Sequence, residues 1–274
     1  MTTERTTDAK GTGHHANVNG INLYYETHGT GRPLVLLHGG LGSGEMFGPV
    51  INLLAKHHQV IVPDLQGHGR TADIDRPLDI RLMADDIAAL IDHLGLDKPD
   101  LVGYSLGGGV AFFVALRHPE LVGKLVLVST PIRRNAFYPE MLAQQEQVGP
   151  EAAEAMKQTP MYQLYASIAP RPEDWPRLLQ KIGEAMKGDF DYSKEVAQLK
   201  APTMIVAGDA DIFPPSHAVE FFGLLGGGKR DGGWDGSGIS NARLAILPGV
   251  THYTMAIAPA LAPAVTSFLD EDRK

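Results

Sequence analysis

The chain has 274 residues, 43% hydrophobic and 20% charged, with a formal net charge of -8. That balance suits one large globular domain with an elaboration, and its acidic sign argues against nucleic acid or an anionic membrane surface as a partner. There is no cysteine, so disulfides, thiolate metal sites and cysteine nucleophiles are excluded, while no redox compartment is required or forbidden.

Met1 to His15 is polar and lacks the apolar core of a secretory signal, and no later run approaches a membrane span. A cytoplasmic location is the expectation. Residues 1–16 read as a flexible N-terminal arm, with His14 and His15 solvated rather than metal-binding. Val18 to Thr27 alternates around Asn19-Gly20, a dipeptide suited to a tight turn, so an antiparallel hairpin is expected to open the fold. From Pro33 the pattern changes. Pro33 to Leu37 and Gln59 to Pro63 are continuous apolar strands, with a helix expected between them from Met46 to His57. A helix over Asp79 to Leu94 carries Met83, Ile87, Leu90, Ile91 and Leu94 on one face. Pro99 to Tyr104 then reads as a strand, Gly109 to Leu116 as a buried helix, and Lys124 to Ser129 as a further strand.

This alternation makes a mostly parallel sheet covered on both faces. It stops from Pro131 to Leu199, where methionines, aromatics and prolines among charged residues indicate short helices, read as a cap over the strand ends. Strands resume at Pro202 to Gly208 and Arg243 to Pro248, with helices expected over Ser216 to Leu225 and Pro259 to Leu269. Gly226 to Gly238 reads as a mobile surface excursion; its Gly-Gly-Gly-Lys-Arg start lacks phosphate-loop spacing. The domain reading is therefore an α/β core over 17–130 and 200–274, with the cap over 131–199.

Gly103-Tyr104-Ser105-Leu106-Gly107 lies between a strand and a helix, the context of a nucleophile elbow. A serine becomes a useful nucleophile when it is lifted clear, aimed at a base, and set beside donors for the oxyanion it creates. The sharp turn requires small residues two positions either side, and Gly103 and Gly107 occupy those places. Reactive groups gather beyond the carboxyl ends of parallel strands, which favours His252, just past a late strand, as the base. His38 and His68 adjoin loops at the same ends and read as braces. Asp211 and Asp209 both follow the preceding strand; Asp211 reaches further and is the preferred acid. For the oxyanion, the amide of Leu106 is one expected donor, with Gly40 as the other and Leu41 in reserve. Leu41 and Tyr104 are also expected to line the substrate pocket.

These motifs resemble the α/β-hydrolase superfamily, especially small serine esterases and cofactor-free haloperoxidases. The matching pieces are His38-Gly39-Gly40, Pro63-Asp64-Leu65-Gln66-Gly67-His68-Gly69-Arg70, the Ser105 elbow, Gly208-Asp209-Ala210-Asp211 and Gly249-Val250-Thr251-His252. The resemblance implies an eight-stranded, mostly parallel sheet with a helical cap after the sixth strand. It further implies Ser105 as nucleophile, Asp211 as acid, His252 as base, Gly40 and Leu106 as the oxyanion hole, and neither cofactor nor metal. The implied reaction is hydrolysis of a small ester with an apolar acyl part. Lactone, amide or carbon–carbon bond hydrolysis, haloperoxidase-type chemistry, and a ligand-binding receptor remain alternatives on the same residues. Serine at the elbow argues against haloalkane dehalogenases and epoxide hydrolases, which carry aspartate there. Oligomeric state is not legible.

Overall fold

The computed structural model describes residues 11–271. Its centre is one eight-stranded sheet in the order β1-β2-β4-β3-β5-β6-β7-β8. The strands are β1 (Thr12–Val18), β2 (Ile21–His28), β3 (Arg32–Leu37), β4 (His58–Pro63), β5 (Asp100–Tyr104), β6 (Leu125–Val128), β7 (Thr203–Ala210) and β8 (Ala242–Thr251). β2 runs antiparallel to β1 and β4, and every other pairing is parallel. The helices are α1 (Pro49–Leu54), α2 (Ile80–His93), α3 (Leu106–Arg117), α4 (Pro139–Glu146), α5 (Ala153–Met156), α6 (Pro160–Ile168), α7 (Trp175–Lys187), α8 (Pro215–Leu224) and α9 (Leu261–Leu269).

The opening hairpin turns through Asn19 and Gly20, with φ of 46° and 80°, as a two-residue type I′ turn requires. β1 begins at Thr12, so residues 12–16, expected in a flexible arm, are paired with β2; the arm's residues 1–10 lie outside the described residues. His14 and His15 are exposed on this strand, each against the tyrosine across from it, Tyr25 and Tyr24.

Alternation along the central strands divides the core between the two faces of the sheet. Val35, Leu37, Leu101, Leu125, Leu127 and Ile205 join α2, α3 and α8 on one face. Leu34, Leu36, Val102, Val126, Val128 and Val206 join α1 and α9 on the other. Strands buried on both sides therefore show little apolar–polar alternation for a periodicity to reveal. The helix expected over 46–57 is broken: a 3-10 turn over Gly44–Phe47 ends at Gly48, whose φ is 44°, and Pro49 starts α1. A proline at the first helical position favours a fresh start over continuation.

Between β6 and β7 the chain leaves the sheet and forms α4 to α7. Its two ends meet in a short antiparallel neck, where Arg134 N–H donates to Phe190 O at 2.9 Å and Tyr192 N–H to Ile132 O at 2.8 Å. Trp175 is buried at the centre of this insertion, against the rings of Tyr162 and Tyr165. α7 buries Leu178, Leu179 and Ile182 on one face. It is also tied to the core through Asp73, which accepts from Lys181 Nζ at 2.6 Å, pairs with Arg177 Nε at 2.7 Å and accepts from Gln66 at 2.8 Å. Residues 226–238 lie outside any helix or strand and carry the fully exposed Trp234.

Candidate active site

Three of the parallel strands end at one edge of the sheet and deliver one side chain each. Ser105 follows β5 at φ 54° and ψ -117°, a conformation that costs a non-glycine residue about 1–3 kcal/mol. Its surroundings enforce the turn. A Cβ on Gly103 would stand 2.3 Å from Gly107 O, and one on Gly107 would stand 2.5 Å from the carbonyl oxygens of Leu37 and His38. Gly108, which sequence reasoning did not single out, is equally constrained: a Cβ there would stand 1.8 Å from Thr130 Oγ1.

His252 was expected on a loop beyond Pro248, but β8 continues to Thr251 and His252 opens a 3-10 turn over His252–Ile257. The register slips between Gly208, paired with Leu247, and Ala210, paired with Thr251. Gly249 takes φ 68° in the extra length. Such a bulge re-aims the residues after it, and here it carries His252 back over the sheet edge. Thr251 caps the turn in a reciprocal bond with Thr254.

His252 Nε2 is 3.1 Å from Ser105 Oγ, and Nδ1 is 2.9 Å from Asp211 Oδ1. A carboxylate can only accept, so the Asp211 contact places the proton on Nδ1 and leaves the Nε2 lone pair facing the serine hydroxyl. Asp211 is buried and also accepts from Ser129 Oγ at 2.5 Å, Ile212 N–H at 2.8 Å and Gly208 N–H at 3.2 Å. Burial works to raise its pKa. The hydrogen bond from His252 and its electrostatic attraction, with the Ser129 and Ile212 donors, outweigh burial and hold the carboxyl below its ordinary value. Asp209 instead accepts from Gly249 N–H at 2.8 Å and braces the bulge.

Gly40 and Leu106, the two residues expected to supply the oxyanion donors, are neighbours. Gly39 to Gly42 forms a turn closed by Gly42 N–H to Gly39 O at 3.3 Å, with Leu41 at φ 58°. A Cβ on Gly40 would meet the Leu106 side chain at 3.8 Å and Ile182 of α7 at 3.8 Å. Leu106 is the first residue of α3, where amides are left without intrahelical acceptors and the helix end is positive. His38 braces this loop as expected: Nδ1–H donates to Gly39 O at 2.7 Å, while Nε2 accepts from Leu65 N–H at 2.9 Å. His68 Nδ1–H donates to Gln66 O at 2.8 Å. Burial lowers the two histidines to about 4 and about 3, His38 adding to the effect on His68, so both stay neutral.

Tyr104 and Leu41, the two residues expected to line the substrate pocket, are both buried. Tyr104 is 4% exposed, and its hydroxyl donates to the backbone carbonyl of His252 at 2.6 Å; strand alternation turns it to the face of the sheet that carries Phe47 and Met255. Leu41 is likewise buried, inside the core cluster shared with α7. Ser129 and Ile182 went unnoticed in the sequence. The available signal for Ser129 was its place at the carboxyl end of β6, the edge that supplies the other groups; Ile182 had none beyond helical periodicity.

Among the described residues no group of three or more His, Cys, Asp or Glu side chains could hold a metal ion, and no helix is long and apolar enough to cross a membrane. A family model for the alpha/beta hydrolase fold matches residues 32–167. A soluble epoxide hydrolase from Corynebacterium sp. strain C12 is 42% identical over 120 residues, 43% of this chain, and the match spans only 41% of that relative's length. A putative carbamate hydrolase, RutD, from Azorhizobium caulinodans is 28% identical over 263 residues, covering 89% of this chain and 93% of the relative. The solved structure of a thermophilic esterase from Thermogutta terrifontis has a TM-score of 0.70 at 25% identity, covering 95% of this chain and 98% of the other. Sheet order, elbow and these matches together make the chain a member of the α/β-hydrolase superfamily.

Proposed function

We propose that the protein is a serine hydrolase that cleaves carboxylic esters through an acyl-enzyme on Ser105, His252 and Asp211. The observation that carries this reading is the continuous relay of 3.1 Å and 2.9 Å from a strained elbow serine through His252 to a buried carboxylate. Ser105 Oγ forms a bond to the ester carbonyl carbon as its proton passes to His252 Nε2. The carbonyl oxygen becomes an oxyanion held by the Gly40 and Leu106 amides, a device worth roughly 3 kcal/mol per donor. The carbon–alkoxy bond then breaks, and the alcohol leaves with the proton from His252. Water repeats the sequence: His252 takes its proton, its oxygen bonds to the acyl carbon, and Ser105 departs with that proton as the acid is released. The insertion acts as a cap, with Ile182 beside the oxyanion loop limiting the acyl side.

A carbamate is the second reading, supported by the near full-length match to a putative carbamate hydrolase; the same triad would attack that carbonyl. Epoxide opening through a covalent ester calls for a carboxylate nucleophile, and the elbow holds a serine. A p-nitrophenyl ester chain-length series, assayed beside carbamate, lactone and diketone panels, separates these readings. Turnover of short or medium esters that falls by at least about 10⁴-fold in Ser105→Ala is expected. Inactivity on every ester, with turnover of a diketone or carbamate, would sink the ester reading.

A further inference from the structure

Hydrogen-bond chemistry explains how the imidazole is oriented, but not what fixes its distance from the serine. Asp211 holds Nδ1 and so sets the tautomer and ring direction. How near Nε2 comes to Ser105 depends on where the backbone of residue 252 sits. That backbone begins a 3-10 turn at the end of a bulged edge strand, a place with few ladder bonds to hold it.

Tyr104 occupies the space beneath it. Alternation along β5 puts Leu101 on the α2 and α3 face and Val102 and Tyr104 on the other, together with Phe47 and with Met255 and Ala256 of the histidine's own turn. The phenol ring lies edge-on to Phe47 at 6.4 Å between centroids and 5.2 Å from the imidazole of His252. It also lies under the oxyanion loop, where a Cβ on Gly39 would stand 2.7 Å from Tyr104 Cε1. A buried phenol needs a partner, and the one it has is the carbonyl of His252 at 2.6 Å. Burial, reinforced by the negative charge of Asp211, raises the phenol's pKa, so the hydroxyl remains a donor at any working pH.

Resting on the serine-hydrolase reading, we infer that Tyr104 is a positioning residue for the base, its hydroxyl fixing the backbone of His252 at the depth that brings Nε2 to Ser105. Because Tyr104 and Ser105 are consecutive, the nucleophile and the support of its base share one rigid strand end. The ring extends the same support to the oxyanion loop. Tyr104 touches no reacting atom and transfers no proton; its effect passes entirely through His252 and Gly39.

Tyr104→Phe keeps the ring and removes the hydroxyl. The readouts are steady-state kinetics on a p-nitrophenyl ester and the rate and end-point of labelling by a fluorophosphonate. In labelling, Ser105 Oγ bonds to phosphorus, the P–F bond breaks, and the serine proton passes by His252 to solvent as fluoride leaves. The expected result for the variant is kcat and the labelling rate both reduced about tenfold or more, since small misplacements of a catalytic group are costly. KM stays within about twofold, and the labelling end-point stays at one phosphonate per chain. Tyr104→Met, which fills the space without a donor, carries the same expectation and serves if the Phe variant does not fold. A labelling rate equal to that of the unmodified protein, or a reduced end-point with an unchanged rate, overturns the inference by showing no role or a merely structural one. Absence of labelling in the unmodified protein is a different outcome, one that removes the serine-hydrolase reading itself.

Discussion

Asp209 lies near the end of β7 and Asp211 just beyond it, yet Asp211 meets His252 Nδ1 whereas Asp209 holds the backbone of the bulge before that histidine. Asp211 saturates its carboxylate with His252, Ser129, Ile212 and Gly208, whereas Asp209 reaches Gly249 at the bulge. Asp211→Asn replaces an acceptor with a group that can present N–H to Nδ1, favouring the wrong tautomer. A loss of about 10⁴-fold in kcat is expected, with the fold intact by circular dichroism. Asp209→Asn retains an acceptor for Gly249 and is expected to stay within about tenfold of the parent. Equal losses in the two variants would contradict the assignment of the acid. The turn at Ser105 and the convergence of His252 and Asp211 on it were legible from residue type and place along the strand order. The contacts of Ser129 and Tyr104 were not, because a serine or tyrosine at a strand end is ordinary until the fold shows what its hydroxyl meets.

The alternating strands and helices could be read because each is a long apolar run bounded by polar or proline residues. Three features escaped that reading: the break at Gly48-Pro49, the bulge before His252, and the neck of the insertion. Each is decided by tertiary pairing rather than local preference; Gly249, for example, is an ordinary turn glycine until β7 sets the register around it. The attachment of α7 is equally non-local. Asp73 gathers Lys181 and Arg177 from α7 and Gln66 from the core, and Arg171 adds a bond to the Asp73 carbonyl. Asp73→Ala leaves the 13%-exposed Lys181 side chain without its counter-ion, so a loss of about 2–3 kcal/mol is expected, the exposed Arg177 contributing little. Urea unfolding measures the loss, and limited proteolysis is expected to cut first within residues 131–199. Unchanged stability and an unchanged cleavage pattern would show that apolar packing alone seats α7.

Across the whole molecule, buried ionisable groups set how stability responds to acid. His38 and His68 are lowered by burial from 6.5 to about 4 and about 3, so between these values and 6.5 the unfolded chain binds two protons that the folded chain refuses. Stability therefore falls as pH drops through that window. Asp64, raised by burial from 3.8 to about 6, works the other way, joined by Asp86. His217, also lowered chiefly by burial, joins the two histidines, so three protons refused by the folded chain stand against the two that Asp64 and Asp86 take up, and stability is expected to fall with acid between roughly pH 6 and 4. The urea midpoint is expected to decline over that range. A midpoint that holds steady or rises on acidification would contradict the neutral, buried state of these histidines.

The most direct measurement is to treat the unmodified protein with a fluorophosphonate, digest it, and locate the adduct by mass spectrometry. One phosphonate per chain on Ser105, absent from Ser105→Ala and slowed by about 10³-fold or more in a His252→Ala variant, is the expected result. An unlabelled protein, or an adduct on any other residue with Ser105 untouched, would contradict the central claim that this elbow serine is an activated nucleophile.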